Sequence, residues 1–318
     1  MKSRIAILKY ALALLLLTAV TPLCAQNFIV TCSVTGISDL AFGTVDPISS
    51  LTNTTATISY ACNNANHQFY SGVVCFSITD GLQNRQMQNG TNTLNFGAFS
   101  DTNHTVYWGI GANALTVPVS IPNDSPNWTS TATLYGQVAG GQTTLAQGPY
   151  TYPFAGGITA IAVNVSKNTP VPTSCSGTGS ATGQSFNATA TVQTKCIVSA
   201  TNLDFGTPAG LLTSNVDSQS TITVQCANGT PYQIALDNGL HASGSTRQMT
   251  GGASEFIVYE LYRDSGRTQR WGATLGTDTI SATGNGSPQG TNVYGRVAPQ
   301  ATPSPSSYSD TITVSVWY

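Results

Sequence analysis

Charged side chains are scarce in this 318-residue sequence: 8% of the residues are Asp, Glu, Lys or Arg, and the formal net charge is −2. Proteins that bind nucleic acid or anionic membranes carry a basic patch. The whole chain has 11 Lys and Arg residues, which are few for such a patch. We therefore expect no nucleic-acid partner.

The usual catalytic and metal-binding motifs are also missing. The sequence contains no G-x-S-x-G, H-E-x-x-H or C-x-x-C, and its three histidines, His67, His104 and His241, are far apart. We predict that the protein is not an enzyme and has no catalytic residues, no cofactor and no metal site. A pair of catalytic carboxylates of the glycosidase type remains an alternative, because the distance between such carboxylates is set by the three-dimensional fold.

Long apolar runs are absent except at the amino terminus. Three basic residues precede the apolar residues 11–17, and Ala25 offers a small residue for cleavage. The run is too short to span a bilayer and is typical of a secretory signal peptide. We predict a signal peptide over residues 1–25 and an exported mature chain.

The sequence contains two copies of one pattern, offset by about 164 residues, which is too long for a solenoid repeat. The pairs of matching motifs begin at Cys32 and Cys196, Leu40 and Leu203, Cys62 and Cys226, Arg85 and Arg247, Trp108 and Trp271, and Tyr135 and Tyr294. We interpret this as a duplicated domain.

Six cysteines follow the predicted signal peptide, an even number that favours disulfides in an oxidising compartment. The duplication predicts the pairs Cys32–Cys62 and Cys196–Cys226, which leaves Cys75 to pair with Cys175. Loops of this size gain about 3 to 4 kcal/mol per bond in the chain-entropy model.

Alternation of apolar and polar residues indicates strands throughout. Ala56, Ile58 and Tyr60 alternate with Thr and Ser, and the chain closes on a similar run that contains Val314 and Val316. No segment has a convincing helical period. The pattern predicts an all-β protein with two tandem β-sandwich domains.

The duplicated cysteine frame, with its Phe-Gly, Arg-Gln-Met, Trp-Gly and Tyr-Gly-x-Val motifs and the terminal run 310–316, resembles the spore coat protein U domain. Proteins with this domain are subunits of archaic chaperone–usher pili of the Csu type. The resemblance implies incomplete immunoglobulin-like, pilin-type sandwiches that each receive a missing strand from a neighbour. It also implies a periplasmic chaperone, an outer-membrane usher and a neighbouring pilus subunit as partners.

The resemblance and the duplication together give the expected domain boundaries. We expect an N-terminal adhesin domain over residues 26–168, a linker over 169–185 and a C-terminal pilin domain over 186–318. A member with two domains is similar to the adhesin at the pilus tip.

One segment between the copies is a candidate donor strand. Its apolar residues Phe186, Ala188, Ala190 and Val192 alternate with polar ones. We interpret it as completing the first domain from within the chain. The alternative is that it forms the first strand of the second domain, because alternation alone does not show which sheet a strand joins.

The mature amino terminus is expected to be too short to act as a donor strand. Cleavage near Gln26 leaves about six residues before Cys32, fewer than a groove of ordinary strand length requires. A subunit that accepts a strand and donates none would end the fibre.

The first copy has longer segments than the second at two places, and a third variable stretch, residues 168–174, follows its last strand. Loops on a rigid scaffold often carry binding residues. The apolar candidates in these segments are Phe69, Tyr70, Leu115, Val117, Ile121, Trp128 and Val171. Exposed together, they would form a site for an abiotic or host surface. They could equally pack down as loop cores.

We therefore expect a tip adhesin that is exported through the periplasm to the cell surface and mediates attachment and biofilm formation. The alternatives are a structural pilin or coat subunit, and a secreted carbohydrate-binding protein.

Overall fold

The computed structural model describes residues 30–48 and 50–318. It contains two all-β units in tandem, each built from a larger and a smaller sheet, which confirms the predicted fold class. The predicted signal peptide, residues 1–25, and Gln26 lie outside the described residues. No helix within the described ranges has the length and apolar character needed to cross a membrane.

The first unit contains the strands β1 (Val30–Ile37), β2 (Leu40–Val45), β3 (Thr52–Asn64), β4 (Tyr70–Ile78), β5 (Asn84–Asn89), β6 (Asn92–Phe99), β7 (Leu115–Ile121), β8 (Asn127–Val138), β9 (Gly148–Phe154), β10 (Thr159–Ser166), β11 (Ser180–Ala181) and β12 (Phe186–Val192). A 3-10 helix, Gly111–Asn113, precedes β7. Its 8-stranded sheet has the order β1-β3-β8-β6-β5-β9-β12-β2, and the 4-stranded sheet has the order β11-β10-β4-β7.

The second unit contains β13 (Cys196–Ala200), β14 (Val216–Cys226), β15 (Pro231–Leu236), β16 (Arg247–Thr250), β17 (Phe256–Tyr262), β18 (Ile280–Thr283), β19 (Gln289–Val297) and β20 (Val314–Trp317). A 3-10 helix, Gly252–Ser254, follows β16. The sheets have the orders β13-β14-β19-β17-β16 and β18-β15-β20.

Strand β3 shows how the sequence builds the core. Ala56, Ile58, Tyr60 and Cys62 are at most 1% exposed, whereas the residues between them face outward or lie partly buried. This follows from the period of two along a strand, which sends alternate side chains to opposite faces. Residues of both sheets then meet in one core cluster.

Three disulfides join Cys32 to Cys62, Cys75 to Cys175 and Cys196 to Cys226, the pairing that the duplication predicts. The first and third connect residues directly opposite each other on antiparallel strands. The second joins β4 to the segment after β10 and has a sequence separation of 100.

The segment expected to be a linker, residues 169–185, instead lies against the first unit. Cys175 bonds to Cys75, and β11 pairs with β10. Strand β12 also joins the large sheet of the first unit, so by packing this unit extends to Val192. Alternation in the sequence fits either sheet and does not by itself show which unit the strand joins.

Candidate functional site

Strand β12 lies inside the large sheet of the first unit. It pairs antiparallel with β9 over the full range Phe186–Val192 and parallel with β2, beginning with Ala188 opposite Leu40. Its backbone groups therefore find partners on both sides. Without β12, β9 and β2 would have no neighbour at this position.

The inward side chains of β12 form part of the first core. Phe186, Ala188, Ala190 and Val192 are 3%, 0%, 4% and 1% exposed. The ring of Phe186 stacks on that of Phe154, with 4.2 Å between centroids. The strand is thus held by apolar burial as well as by its hydrogen bonds.

Small side chains on β12 fit the space that its neighbours leave. Ala188 lies directly opposite Tyr152, whose ring packs against Phe96 at 5.5 Å and Phe154 at 4.9 Å between centroids. Opposed residues of antiparallel strands point to the same face, about 4.5–5.5 Å apart. A larger residue at 188 would collide with this aromatic cluster.

Two buried tryptophans give the correspondence between the units. The indole N–H of Trp108 donates to the carbonyl of Phe76 at 2.8 Å, and that of Trp271 donates to the carbonyl of Ile234 at 2.9 Å. Strand β4 therefore corresponds to β15. Their partners β10 and β20 then occupy equivalent places.

The larger sheets align in the same way. Gln88, which follows the Arg-Gln-Met motif of the first copy, pairs with Thr151 of β9. Thr250, which follows the same motif in the second copy, forms an isolated bridge with Ser309. The segment 306–312 of the second unit therefore takes the place of β9.

Among the described residues of the second unit, no strand occupies the position that β12 has in the first. An open groove of about 570 Å³ lies there, between residues 200–205 and residues 308–314. These two segments overlap the counterparts of β2 and β9. The groove is thus the place into which one further strand would fit.

Apolar side chains line this groove. Leu203 and Met249 pack against the second core but are only partly buried. Their counterparts Leu40 and Met87 are both 0% exposed, because β12 covers the first core. Apolar area left in water costs about 25 cal/mol per Å², so a strand with apolar side chains would be stabilised in the groove.

The groove differs from the first unit at Asp310, which takes the place of Tyr152. The Asp310 side chain is 2% exposed. It accepts a hydrogen bond from the hydroxyl of Tyr259 at 2.7 Å and one from the backbone N–H of His241 at 3.2 Å. Burial, together with the hydrogen bond to Asp310, raises the pKa of Tyr259, which therefore stays protonated as the donor.

The arginine of the Arg-Gln-Met motif is buried beside each core. Arg85 and Arg247 are 1% and 0% exposed. Arg85 pairs with Asp80 at 2.7 Å. Arg247 pairs with Glu260 and also donates to the carbonyl of Trp271 at 2.8 Å. Burial lowers the pKa of Arg247, and the Glu260 carboxylate opposes that shift.

A family model of the Spore Coat Protein U domain matches residues 18–152 and again residues 182–315. The chain belongs to the Spore Coat Protein U domain family. The second match begins before β12, so the strand that joins the first unit is, by sequence, the start of the second Spore Coat Protein U copy. No curated protein matches the chain.

Solved structures of pilus proteins are also similar to this Spore Coat Protein U protein. The CsuC–CsuE chaperone–tip adhesion subunit pre-assembly complex, from the archaic chaperone-usher Csu pili of Acinetobacter baumannii, shares 19% identity and has a TM-score of 0.53, covering 91% of this chain and 100% of that chain. The CupB6 tip adhesin of Pseudomonas aeruginosa shares 10% identity with a TM-score of 0.31, covering 90% of this chain and 94% of that chain.

Three of the predicted surface-binding residues of the first Spore Coat Protein U copy are core residues. Tyr70, Leu115 and Ile121 are 3%, 6% and 0% exposed. They lie on β4 and β7, which pair with each other, and Tyr70 is directly opposite Ile121. The expectation that they sit on loops is therefore wrong, because the extra residues of this copy lengthen strands.

The other four candidates divide into two groups. Val117 and Trp128 are partly buried against the core, and Trp128 contacts Tyr60 edge-on at 5.9 Å between centroids. Phe69 and Val171 are 55% and 44% exposed. These last two are the candidates that remain available for a surface contact.

Phe69 and Val171 lie at the same end of the first unit. Phe69 directly precedes β4, and Val171 follows the antiparallel strand β10. The opposite end meets the second unit, where the Asn228 side chain donates to the carbonyl of Thr144 at 3.0 Å. The exposed pair is therefore remote from the second unit.

The described residues hold no group of three or more His, Cys, Asp or Glu side chains that could bind a metal ion. The ring of His104 packs on Phe99 at 5.3 Å, and Nδ1 of His241 lies 3.1 Å from Asp310. The groove is lined in part by apolar side chains, and no strand among the described residues pairs along it.

Proposed function

We propose that this protein is the adhesive tip subunit of a chaperone–usher pilus, and that its second unit accepts a strand from the neighbouring subunit. The observation that carries the proposal is the open groove at the position of β12. A periplasmic chaperone would cover this groove before assembly at the outer-membrane usher, by the same kind of strand addition. The subunit would then be exported to the cell surface, where it mediates attachment and biofilm formation.

The first unit supports the proposal as an internal example of a filled groove. Phe186 and Val192 supply about 3–6 kcal/mol of burial, and the two alanines supply about 0.8 kcal/mol each, before the cost of ordering the strand. Ordering costs about 1–2 kcal/mol per residue, and backbone hydrogen bonds on both sides offset part of it. Apolar burial and the hydrogen bonds on both sides are therefore both needed to hold the strand in the groove.

The first test supplies the second unit with a strand. A copy of residues 164–192, with Cys175→Ser in the copy, is appended after Tyr318. Because Val316 is equivalent to Ile161, Tyr318 takes the place of residue 163, and a copy that begins at residue 164 keeps the spacing of the first unit. We expect the melting temperature of the second unit to rise by about 10 °C or more, measured by calorimetry together with hydrogen exchange.

The control carries Ala188→Asp and Ala190→Asp in the appended copy alone. Two carboxylates cannot enter an apolar groove without a large desolvation cost, so this extension should leave the second unit as unstable as in the parent chain. Equal melting temperatures for the parent, the extended chain and the control would contradict the proposed function.

We further propose that the remote end of the first unit binds the target surface through Phe69 and Val171. Tyr70 and Val117 are left unchanged, since they belong to the core. About half of each exposed side chain is available for contact, so Phe69→Ser with Val171→Ser should weaken adsorption of the monomer to polystyrene by about tenfold to a hundredfold.

A matched control exists at the other end of the same unit. Leu82 and Ile110 are 47% and 54% exposed, and the double variant Leu82→Ser, Ile110→Ser should adsorb like the parent. Adsorption should also persist at high salt, because the contact is apolar. Equal losses in both double variants, or competition by a soluble glycan, would exclude an apolar tip at Phe69 and Val171.

A further inference from the structure

The residues just before β12 form an edge strand on the other sheet of the first unit. Strand β11 pairs with β10, and Ser180 lies opposite Ile161. The N–H of Thr182 donates to the carbonyl of Thr159 at 2.8 Å. The segment 180–192 therefore runs along the edge of the small sheet and then crosses into the large one.

Glycines allow this segment to lie against β10 at backbone distance. Gly179 has a φ of +79°, and a Cβ placed on it would be 2.1 Å from the carbonyl oxygen of Ile161. A Cβ on Gly156 would be 2.8 Å from the carbonyl oxygen of Gly183. Since Cβ atoms do not approach backbone oxygens so closely, the close contact depends on glycine at both places.

The second unit leaves the corresponding edge open. Strand β20 pairs with β15 alone among the described strands, whereas its counterpart β10 has β4 on one side and β11 on the other. Val316 lies opposite Ile234, as Ile161 lies opposite Phe76. The backbone groups of residues 314–316 are therefore placed where residues 159–161 receive β11.

Apolar side chains next to this edge are exposed as well. Trp317 and Tyr318 are 57% and 60% exposed. Trp317 takes the position of Ala162, which in the first unit packs with Cys175 of the segment before β11. An exposed strand edge beside large apolar side chains is a site for strand pairing.

We propose that the second unit binds a two-part segment of its neighbour rather than a single strand. The first part pairs with the edge of β20 and covers Trp317, and the second part fills the groove, as residues 180–192 do in the first unit. The partner is an extended chain with small residues and glycine in its first part and alternating apolar residues in its second. This inference rests on the proposed function and specifies its partner.

The test compares three versions of the chain extended after Tyr318 by a copy of residues 164–192. One carries the copy with Cys175→Ser only. In the second, Ser180→Pro and Thr182→Pro in the copy remove backbone N–H groups that would pair with the edge of β20, while the length of the segment stays the same. The third carries Ala188→Asp and Ala190→Asp in the copy.

Hydrogen exchange at two neighbouring amides tests whether the first part of the partner segment pairs with the edge of β20. In an antiparallel pair, the backbone N–H groups of successive residues point to opposite sides of the strand. The N–H of Val316 therefore points to the open edge, and that of Ser315 points to β15. We expect the Val316 amide to exchange about twofold to tenfold more slowly in the first version than in the second, because only the first version gives this amide a backbone hydrogen bond. The Ser315 amide should exchange alike in both.

Thermal melting supplies the second readout. The first version should melt about 4–8 °C above the second, and both should melt above the third. If the first two versions have the same melting temperature and the same Val316 exchange, the two-part segment is excluded while strand acceptance stands. If all three behave alike, the proposed function itself fails.

Discussion

The substitution Ala188→Asp is expected to unfold the first unit. Ala188 is 0% exposed and lies between β9 and β2, opposite Tyr152 and Leu40, where a carboxylate finds no partner. Burying an unpaired charge costs well over 4 kcal/mol, a large part of the 5–15 kcal/mol that stabilises a typical domain. Denaturant unfolding followed by circular dichroism, with hydrogen exchange in each unit, measures the effect.

The control for this variant is Thr191→Asp on the same strand. Thr191 is exposed, so the added charge stays in water and the change in unfolding free energy should be within about 0.5 kcal/mol. If Ala188→Asp instead destabilises the second unit and spares the first, β12 belongs to the second unit, which is the alternative that the sequence leaves open.

The sequence predicts the fold because its signals are local. Alternation along β3 and the 30-residue cysteine separations are visible without three-dimensional information, and both copies repeat them. The sheet that β12 joins is not visible in this way. Its Phe186 contacts Phe154, while the cysteine that follows it, Cys196, pairs in the second unit. Only the packing separates these two environments.

Comparison of the two copies located the longer segments correctly but not their structure. Strand β4 has 9 residues, whereas its counterpart β15 has 6. The additional residues of the first copy therefore extend a strand whose alternate side chains, such as Tyr70, enter the core. Loop length counted in a sequence does not distinguish a longer loop from a longer strand.

The polar contacts at one side of the groove are not predicted by the sequence. Asp310 belongs to the terminal motif, but its hydrogen-bond donors Tyr259 and His241 lie 51 and 69 positions away. Nothing local in the sequence connects them. In the first unit, Phe96 takes the place of Tyr259 and Tyr152 takes the place of Asp310. The second groove therefore presents a carboxylate and a hydroxyl where the first presents two aromatic rings.

The substitution Arg247→Met is expected to destabilise the second unit by about 3–5 kcal/mol. Arg247 is 0% exposed and pairs with Glu260, and it donates to the carbonyls of Trp271 at 2.8 Å and Leu236 at 3.3 Å. Methionine fills most of the space but leaves these acceptors unsatisfied. Denaturant unfolding of the second unit measures the loss.

Arg270→Met is the control, because Arg270 pairs with the same Glu260 at 2.7 Å and donates to Asn238 and Ser245, but its side chain is 34% exposed, so that water can replace these contacts. Solvent screens such a pair, so its loss should cost about 1 kcal/mol or less. A large difference between the two variants would assign the stabilisation to the buried carbonyl contacts of Arg247. Equal effects would instead assign the stabilisation to the shared Glu260 carboxylate. The carbonyl contacts of the buried Arg247 would then not be what stabilises the second unit.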